Sequence, residues 1–261
     1  MIKVAVMGAL GRMGSEVCKA VSEDPELELV GAIDPAAGEA RTPPGQKRAG
    51  IEVLPDKTGL NSGAVDVMVD FTKAEVAVEN IFWALESGIH SVVGTTGIPE
   101  DEVARIKTSA ETGKANVIIA ANFALGAVLM MKFSESAAKV FNQCEIIEMH
   151  HRGKLDAPSG TAITTAKRIM SAREAKQVPP AEEREIKGSR GGQFGDVKIH
   201  SARLDGLVAH QEVIFGSRGE TLRLRHDTID RSCFMPGVLI AVKAVGATPG
   251  LTIGLEPLLG A

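Results

Sequence analysis

The stretch KVAVMGALGRMG, residues 3–14, decides the fold class of this chain. Residues 3–7 have the apolar composition of a buried strand, and glycines follow at Gly8, Gly11 and Gly14. In dinucleotide-binding folds a strand runs into a glycine-rich turn and then a helix, whose free N–H groups face a pyrophosphate. The spacing departs from the familiar G-x-G-x-x-G, so the motif predicts a nucleotide fold and says little about chemistry.

The first half of the chain alternates short apolar runs with amphipathic segments. Predicted strands at 27–33, 65–70, 90–94 and 116–120 are separated by predicted helices at 12–22, 74–86 and 99–112. This alternation predicts βαβ units with right-handed crossovers, and therefore an α/β fold with a Rossmann-type doubly wound parallel sheet. Residues 35–50 are rich in proline and glycine, lack periodicity and are predicted to form a mobile surface loop.

The pattern changes in the second half. Predicted helices at 125–141 and 161–175 accompany predicted strands at 144–150, 197–203, 208–215 and 221–226. The charged segment that ends in GSRGGQFG, residues 188–195, is predicted to be a loop. These elements predict a second, α+β domain built on a mixed sheet. An apolar helix at 236–245 is expected to return to the first domain, so the predicted domains are residues 1–123 with 235–261, and residues 124–234.

Composition excludes several classes of protein. A net charge of −4 and a pI near 5.9 disfavour nucleic acid as a partner, because binding phosphates requires a basic face. The chain has no apolar run of about 18 residues, so no membrane span is expected. Its three cysteines, Cys18, Cys144 and Cys233, are scattered and have no metal-ligand spacing. No metal is therefore predicted, and a reducing, cytoplasmic location is expected.

Asp34 ends the second predicted strand, twenty residues beyond Gly14. A carboxylate there can accept hydrogen bonds from the adenosine ribose, although a turn residue before Pro35 is the alternative interpretation. Because a carboxylate repels a 2′-phosphate, Asp34 favours NADH. Basic residues nearby could neutralise that phosphate and leave NADPH open: Arg12, Arg41, Lys47 and Arg48.

The ends of the fourth and fifth strands point to the same edge of the predicted sheet, where ligands bind in such folds. Backbone groups near Gly94 are expected to touch the nicotinamide ribose, and Phe123 to pack on the nicotinamide ring. The predicted contacts to NADH or NADPH are Gly8, Ala9, Leu10, Gly11, Arg12, Met13, Asp34, Gly94, Thr95, Thr96, Ala120, Ala121, Asn122 and Phe123.

The segment EMHHRGKLDAPSGT, residues 148–161, is the richest in reactive side chains. It offers two imidazoles, a guanidinium and an ammonium within five residues, directly after a predicted strand. Ser159 is a good helix N-cap, and Gly160 lets a ligand approach the free amides of the first turn. With His151 and Lys154, this segment predicts a pocket for a small substrate with several negative charges.

Six motifs in this order carry a resemblance to a known family: GALGRMG (8–14), VDFT (69–72), VVGTTG (92–97), AANFALG (120–126), HHRGKLDAPSGTA (150–162) and AHQEVIFG (209–216). Together they resemble the 4-hydroxy-tetrahydrodipicolinate (dihydrodipicolinate) reductases of lysine and diaminopimelate biosynthesis. The resemblance spans nearly the whole chain, and the loop at 150–162 is highly specific to that family.

The resemblance implies hydride transfer from NADH or NADPH to carbon 4 of a cyclic, unsaturated imine dicarboxylate, with loss of its 4-hydroxyl group as water. It implies that His150 is the general acid, that Lys154 donates protons and stabilises charge, and that His151, Gly160 and Thr161 bind substrate carboxylate. It also implies a homotetramer assembled through the second domain. Pro35 stands where relatives that use both cofactors often have a basic residue, which puts a preference for NADPH in doubt.

Two alternatives stand beside this function, a second enzyme and a protein of another class. Another amino-acid dehydrogenase, acting on aspartate or homoserine, would share the cofactor fold without needing the His-His-x-x-Lys loop. A redox-sensing regulator would bind NAD(H) without turnover, and it would need no basic catalytic cluster. Function is decided by the site and not by the fold.

Overall fold

The computed structural model describes residues 1–37, 47–173, 186 and 188–260, without the side chains of Lys47 and Ser62. The α-helices of these residues are α1 (Arg12–Glu23), α2 (Ala74–Glu86), α3 (Glu100–Thr112), α4 (Leu125–Ala138), α5 (Gly160–Ala172) and α6 (Met235–Ala244). The strands are β1 (Ile2–Met7), β2 (Leu27–Ile33), β3 (Lys47–Arg48), β4 (Ile51–Leu54), β5 (Val67–Asp70), β6 (His90–Val93), β7 (Val117–Ile119), β8 (Gln143–His150), β9 (Gly192–Phe194), β10 (Val197–Arg203), β11 (Ala209–Ser217), β12 (Glu220–Thr228) and β13 (Leu251–Ile253).

The first unit comprises residues 1–123 and 234–261. Its sheet has the strand order β13-β7-β6-β5-β1-β2-β4-β3, and every pair is parallel except β3 with β4. The chain winds outward from β1 in both directions, so the predicted Rossmann-type doubly wound sheet is confirmed. Val4, Val6 and Met68 on the central strands are fully buried, as expected for a parallel sheet that is covered on both faces.

The C-terminal segment completes this sheet. β13 pairs in parallel with β7, with Leu251 opposite Val117. Asn116 fixes the junction: its side-chain amide donates to Val245 O at 2.9 Å, and its Oδ1 accepts from Gly250 N–H at 3.1 Å. The first unit is therefore built from both ends of the sequence.

The second unit, residues 124–233, has a five-stranded sheet of order β12-β11-β8-β10-β9. β8 and β10 are parallel and the other pairs antiparallel, which confirms the predicted mixed sheet. Alternate residues of its strands, such as Ile146 and Val213, form a core with α4 and α5. Ile147, Met149 and Ile214 occupy the alternate positions on the opposite face, where they are half-buried.

Two predicted loops are wrong in part. Within 35–50, residues 47–48 form β3 and pair with β4, and within 188–195, residues 192–194 form β9 and pair with β10. β4 and β13 are also absent from the sequence prediction. All four strands have two to four residues. Strands this short show no alternation and form because a neighbouring strand offers backbone hydrogen bonds.

The long helices of the second unit are shorter than predicted. α4 ends at Ala138 instead of residue 141, and α5 ends at Ala172. Residues 174–175 of the predicted helix, and Arg41 of the predicted loop, lie outside the described residues. Among the described residues, no helix combines the length and the apolar composition needed to span a bilayer.

Candidate active site

The glycine loop of the first unit is held by one very close backbone approach. A Cβ at Gly14 would lie 2.0 Å from Gly8 O, so only glycine lets α1 begin this close to the end of β1. Gly8 itself has a φ of +76°, and its carbonyl accepts from Gly11 N–H at 3.0 Å. The turn therefore requires glycine at both Gly8 and Gly14.

Some amides of this loop are already used, and others are not. Ala9 N–H donates to Ile33 O at 3.0 Å, and Leu10 N–H donates to Asp34 Oδ2 at 2.9 Å. For Arg12 and Met13, at the start of α1, no described residue accepts from the backbone N–H, and no side chain caps this helix. Together with the close approach at Gly14, this arrangement fits a pyrophosphate at the helix N-terminus.

Asp34 forms hydrogen bonds within the protein and can still bind a ligand. One carboxylate oxygen accepts from Leu10 N–H in the glycine loop, and the other accepts from Ala36 N–H at 3.0 Å. The alternative interpretation of Asp34, as a turn residue, thus describes part of its role. Each oxygen keeps a further lone pair for a ribose hydroxyl.

Asp70, at the end of β5, organises the neighbouring loops. It is fully buried and accepts from Thr72 N–H at 2.8 Å, from the Thr95 hydroxyl at 3.0 Å and from the Asn80 amide at 2.8 Å. Because the Thr95 hydroxyl donates its proton here, it can only accept a hydrogen bond from a ligand. Asp70 therefore ties the loops that follow β5 and β6 to α2.

We expect Asp70→Asn to lower the free energy of unfolding by about 1–3 kcal/mol, because a buried amide cannot accept all of these donors. Urea denaturation measures the loss. The matched control is Asp66→Asn, at the residue before the same strand, where an exposed carboxylate accepts from Lys3 N–H. An equal loss in both variants would contradict the organising role of Asp70.

Phe71 and Phe123 form an aromatic pair beneath the loop after β6. Their ring centroids are 5.7 Å apart, and a Cβ at Gly94 would lie 2.1 Å from the Phe71 ring. Phe123 is only 2% exposed, so its ring supports Phe71. Among the other predicted residues here, Thr96 and Ala121 are exposed and Ala120 is buried.

In the second unit, His150 is the last residue of β8 and is held by Glu148 on the same face of the strand. His150 Nδ1 lies 2.5 Å from Glu148 Oε2, and Glu148 has no exposed surface. Since a carboxylate accepts, the proton of this hydrogen bond belongs to Nδ1, and Nε2 is left for other partners. Burial lowers the pKa of His150, Glu148 opposes this effect, and the charges of Lys154 and Arg203 lower the pKa further.

Glu148 is held in turn by two more groups. Arg203 donates to both of its oxygens, at 2.8 and 2.9 Å, and Ser159 N–H donates to Oε1 at 3.2 Å. Burial raises the pKa of Glu148, but the hydrogen bonds from Arg203, Ser201 and His150 outweigh it and leave the pKa below its ordinary value. Glu148 is therefore ionised at neutral pH.

The loop after β8 leads into the start of α5. Lys154 Nζ donates to Asp156 at 2.8 Å, and the neighbouring His151 is exposed. The Ser159 hydroxyl accepts from Ala162 N–H at 3.2 Å, which confirms the predicted N-cap. For Gly160 and Thr161, no described residue accepts from the backbone N–H, and the space above Gly160 is open.

These groups can together bind an anion and supply a proton. The free amides and the positive end of the α5 dipole attract a carboxylate, and Lys154 adds a positive charge. His150 presents Nε2, and imidazole titrates near neutrality. The predicted residues His150, His151, Lys154, Gly160 and Thr161 thus lie in one strand–loop–helix segment.

Sequence reasoning missed three residues of these sites: Asp70, Glu148 and Arg203. Asp70 lies inside the motif VDFT, and Glu148 is the first residue of the segment 148–161. In both cases the signal in the sequence is a carboxylate beside residues of a predicted site. Arg203 is 55 residues from Glu148, and nothing in the sequence indicates their contact.

Comparisons with known proteins agree over the whole chain. A family model described as "Dihydrodipicolinate reductase, N-terminus" matches residues 2–123, and one described as "Dihydrodipicolinate reductase, C-terminus" matches residues 126–259. The 4-hydroxy-tetrahydrodipicolinate reductases of Streptococcus pneumoniae (strain P1031) and Streptococcus gordonii (strain Challis) are each 49% identical over 259 residues, 99% of both chains.

A solved structure shows the same likeness in three dimensions. It is the dipicolinate-bound dihydrodipicolinate reductase from Paenisporosarcina sp. TG-14, with 38% identity and a TM-score of 0.89. The match covers 98% of this chain and 99% of that one. On the family models, the sequence identity and the shared fold, the chain belongs to the dihydrodipicolinate reductase family.

Proposed function

We propose that this chain is a 4-hydroxy-tetrahydrodipicolinate reductase that uses a nicotinamide cofactor. The substrate is a cyclic, unsaturated imine dicarboxylate carrying a 4-hydroxyl group. Substrate, NAD(P)H and one proton give tetrahydrodipicolinate, NAD(P)⁺ and water. The observation that carries the proposal is the strand–loop–helix segment of the second unit, where the Glu148–His150 pair ends β8 and the free amides of Gly160 and Thr161 begin α5.

The first unit supplies the cofactor site. The amides of Arg12 and Met13 would hold the pyrophosphate, Asp34 the adenosine ribose, and the backbone after β6 and β7 the nicotinamide half. When bound, the reduced nicotinamide supplies a hydride. The protein's part is to orient that group by the close packing at Gly14 and by the loops that Asp70 fixes.

The second unit supplies the substrate site. One carboxylate of a dicarboxylate substrate would accept from the amides of Gly160 and Thr161. Lys154 adds a positive group to this site, and His151 adds a polar one. The structure from Paenisporosarcina, in which dipicolinate is bound, supports this choice of ligand class. His150 holds a proton at Nε2 and delivers it to the reduced ring, while Lys154 stabilises the negative charge that develops there.

The assembly and location belong to the same proposal. One face of the sheet of the second unit carries the half-buried Ile147, Met149 and Ile214 beside charged residues such as Glu145 and Glu212, and we propose a homotetramer that forms through this sheet. Light scattering during gel filtration tests the tetramer. The three cysteines are free thiols, as in a cytoplasmic enzyme.

The deciding experiment follows the absorbance of the reduced nicotinamide, with substrate formed from pyruvate and aspartate semialdehyde. We expect oxidation of NADH that depends on this substrate. Aspartate and homoserine, tested with the oxidised cofactor, separate this function from the alternative dehydrogenases and are expected to give no turnover. Purified, folded protein without substrate-dependent oxidation would contradict the proposal.

We expect both cofactors to bind, with NADH preferred. The Asp34 carboxylate, fixed by Leu10 N–H and Ala36 N–H, would repel a 2′-phosphate, and Pro35 offers no compensating charge. Fluorescence titration measures both dissociation constants. Asp34→Ala is expected to weaken NADH more than NADPH. If NADPH bound the wild type about 100-fold more tightly than NADH, the ribose role of Asp34 would be wrong.

A further inference from the structure

Glu148 has two opposing effects on His150 as a general acid. A carboxylate at hydrogen-bond distance fixes the imidazole ring and its tautomer. In a buried setting the same negative charge stabilises the protonated imidazole and makes it a weak acid. A general acid is most effective when its pKa lies near the working pH.

The position of Arg203 allows the first effect and reduces the second. It donates to Glu148 Oε2 at 2.9 Å and to Oε1 at 2.8 Å, and Oε2 is the same oxygen that faces His150. The guanidinium thus neutralises the carboxylate and leaves its hydrogen bond to His150 in place. Arg203 also donates to Asp156 O at 2.7 Å, which holds it against the loop after β8. Its side chain is 17% exposed, so solvent screens this ion pair little.

We propose that Arg203 sets the acidity of His150: it neutralises Glu148, so that Glu148 orients the imidazole without retaining its proton. Arg203 is a positioning residue that acts through Glu148. Its meaning for catalysis rests on the proposed function, whereas its electrostatic effect on His150 does not.

The other groups around His150 agree with this assignment. Lys154, on the loop after β8, adds a second positive charge and is itself paired with Asp156. On β11 the residue opposite His150 is the uncharged Ala209, and α5 begins with the uncharged Gly160 and Thr161. Glu148 is therefore the negative group acting on His150 among the described residues, and Arg203 is the cation bonded to it.

The test is an NMR titration of the imidazole of His150 without ligands. Isotope-labelled histidine gives six signals, and His150→Gln identifies the relevant one. In Arg203→Met we expect the pKa of His150 to rise by about one unit or more. Arg203→Lys keeps the charge but loses the two-point contact, so its rise should be smaller. The alkaline limb of the kcat–pH profile should move upward by the same amount as the titration.

Arg190→Met is the matched control. Another Arg–Glu–His group consists of Arg190, Glu145 and His200. It is partly exposed, and its Glu145 lies on the opposite face of β8 from Glu148. Its loss should leave both the titration of His150 and the activity unchanged. Glu148→Gln gives an independent check, because it should lower the pKa of His150.

Two results would overturn the proposal. One is a folded Arg203→Met protein in which the pKa of His150 stays within about 0.3 unit of the wild type. The other is an unchanged pKa of His150 in Glu148→Gln. The titration needs no turnover. A wild type without reductase activity would therefore contradict the proposed function, and the titration would still test the effect of Arg203 on the pKa of His150.

Discussion

His150→Gln is expected to lower kcat by about 10²–10⁴-fold, the usual contribution of a general acid. Glutamine can keep a hydrogen bond to Glu148 but has no proton to deliver at neutral pH. The variant should bind substrate almost as well as the wild type, so the loss should appear in kcat and much less in KM. Steady-state kinetics, with folding checked by circular dichroism, measures it.

His151→Gln and Lys154→Ala show whether the effect is specific. His151 is exposed and is proposed to bind carboxylate, so its replacement should raise KM and change kcat little. Lys154→Ala should change both, because the ammonium is proposed to bind substrate and to stabilise developing charge. A kcat for His150→Gln within about threefold of the wild type would exclude His150 as the acid.

The pH dependence has a definite sign. An acid must be protonated to act, and the fraction of protonated His150 falls as pH rises through its pKa. Burial holds the pKa of His150 below its ordinary value, and the charges of Lys154 and Arg203 lower it further against Glu148. The kcat–pH profile should therefore fall on its alkaline side, and this limb should be absent in His150→Gln.

Gly14→Ala should weaken NADH binding by about 100-fold or more. The added Cβ would lie 2.0 Å from Gly8 O and 2.7 Å from Gly8 C, so the backbone of the loop must move away from α1. This movement would withdraw the amides of Arg12 and Met13 from the pyrophosphate that they are proposed to hold. Two hydrogen bonds to a charged group, each worth about 1.5–3 kcal/mol, account for the loss.

Gly63→Ala is the control for this change. Gly63 is an exposed residue of the same unit, where the nearest atom to an added Cβ is 3.5 Å away. It should bind NADH like the wild type. Fluorescence titration measures affinity, and urea denaturation shows that each variant is folded. A Gly14→Ala protein with wild-type affinity would show that the loop does not hold the pyrophosphate.

Local patterns made much of the fold predictable. The bounds of β2, α2 and β10 agree with the periodicity, because each has a long apolar pattern and a clear break at its ends. The strand–glycine–helix order and the alternation that follows predict the parallel sheet. The segment from 148 predicts a basic site, because imidazoles and a lysine stand together after a strand.

The contacts that tune the sites could not be predicted from local pattern. Arg203 meets Glu148 only because β10 lies parallel to β8, and Thr95 meets Asp70 only because β6 lies beside β5. Such contacts depend on strand order, which the residues around each site do not encode. The same holds for β13, whose three residues become a strand by pairing with β7.

The late arrival of β13 and α6 has a consequence for biosynthesis. β7 leaves the ribosome long before Leu251 is synthesised. During translation β7 therefore lacks its β13 partner and is a sheet edge that carries Val117, Ile118 and Ile119. Unpaired apolar edges recruit other strands and promote aggregation. The second unit, continuous from 124 to 233, is complete before the first can close its sheet. A nascent chain that stalls before β13 should therefore depend on chaperones.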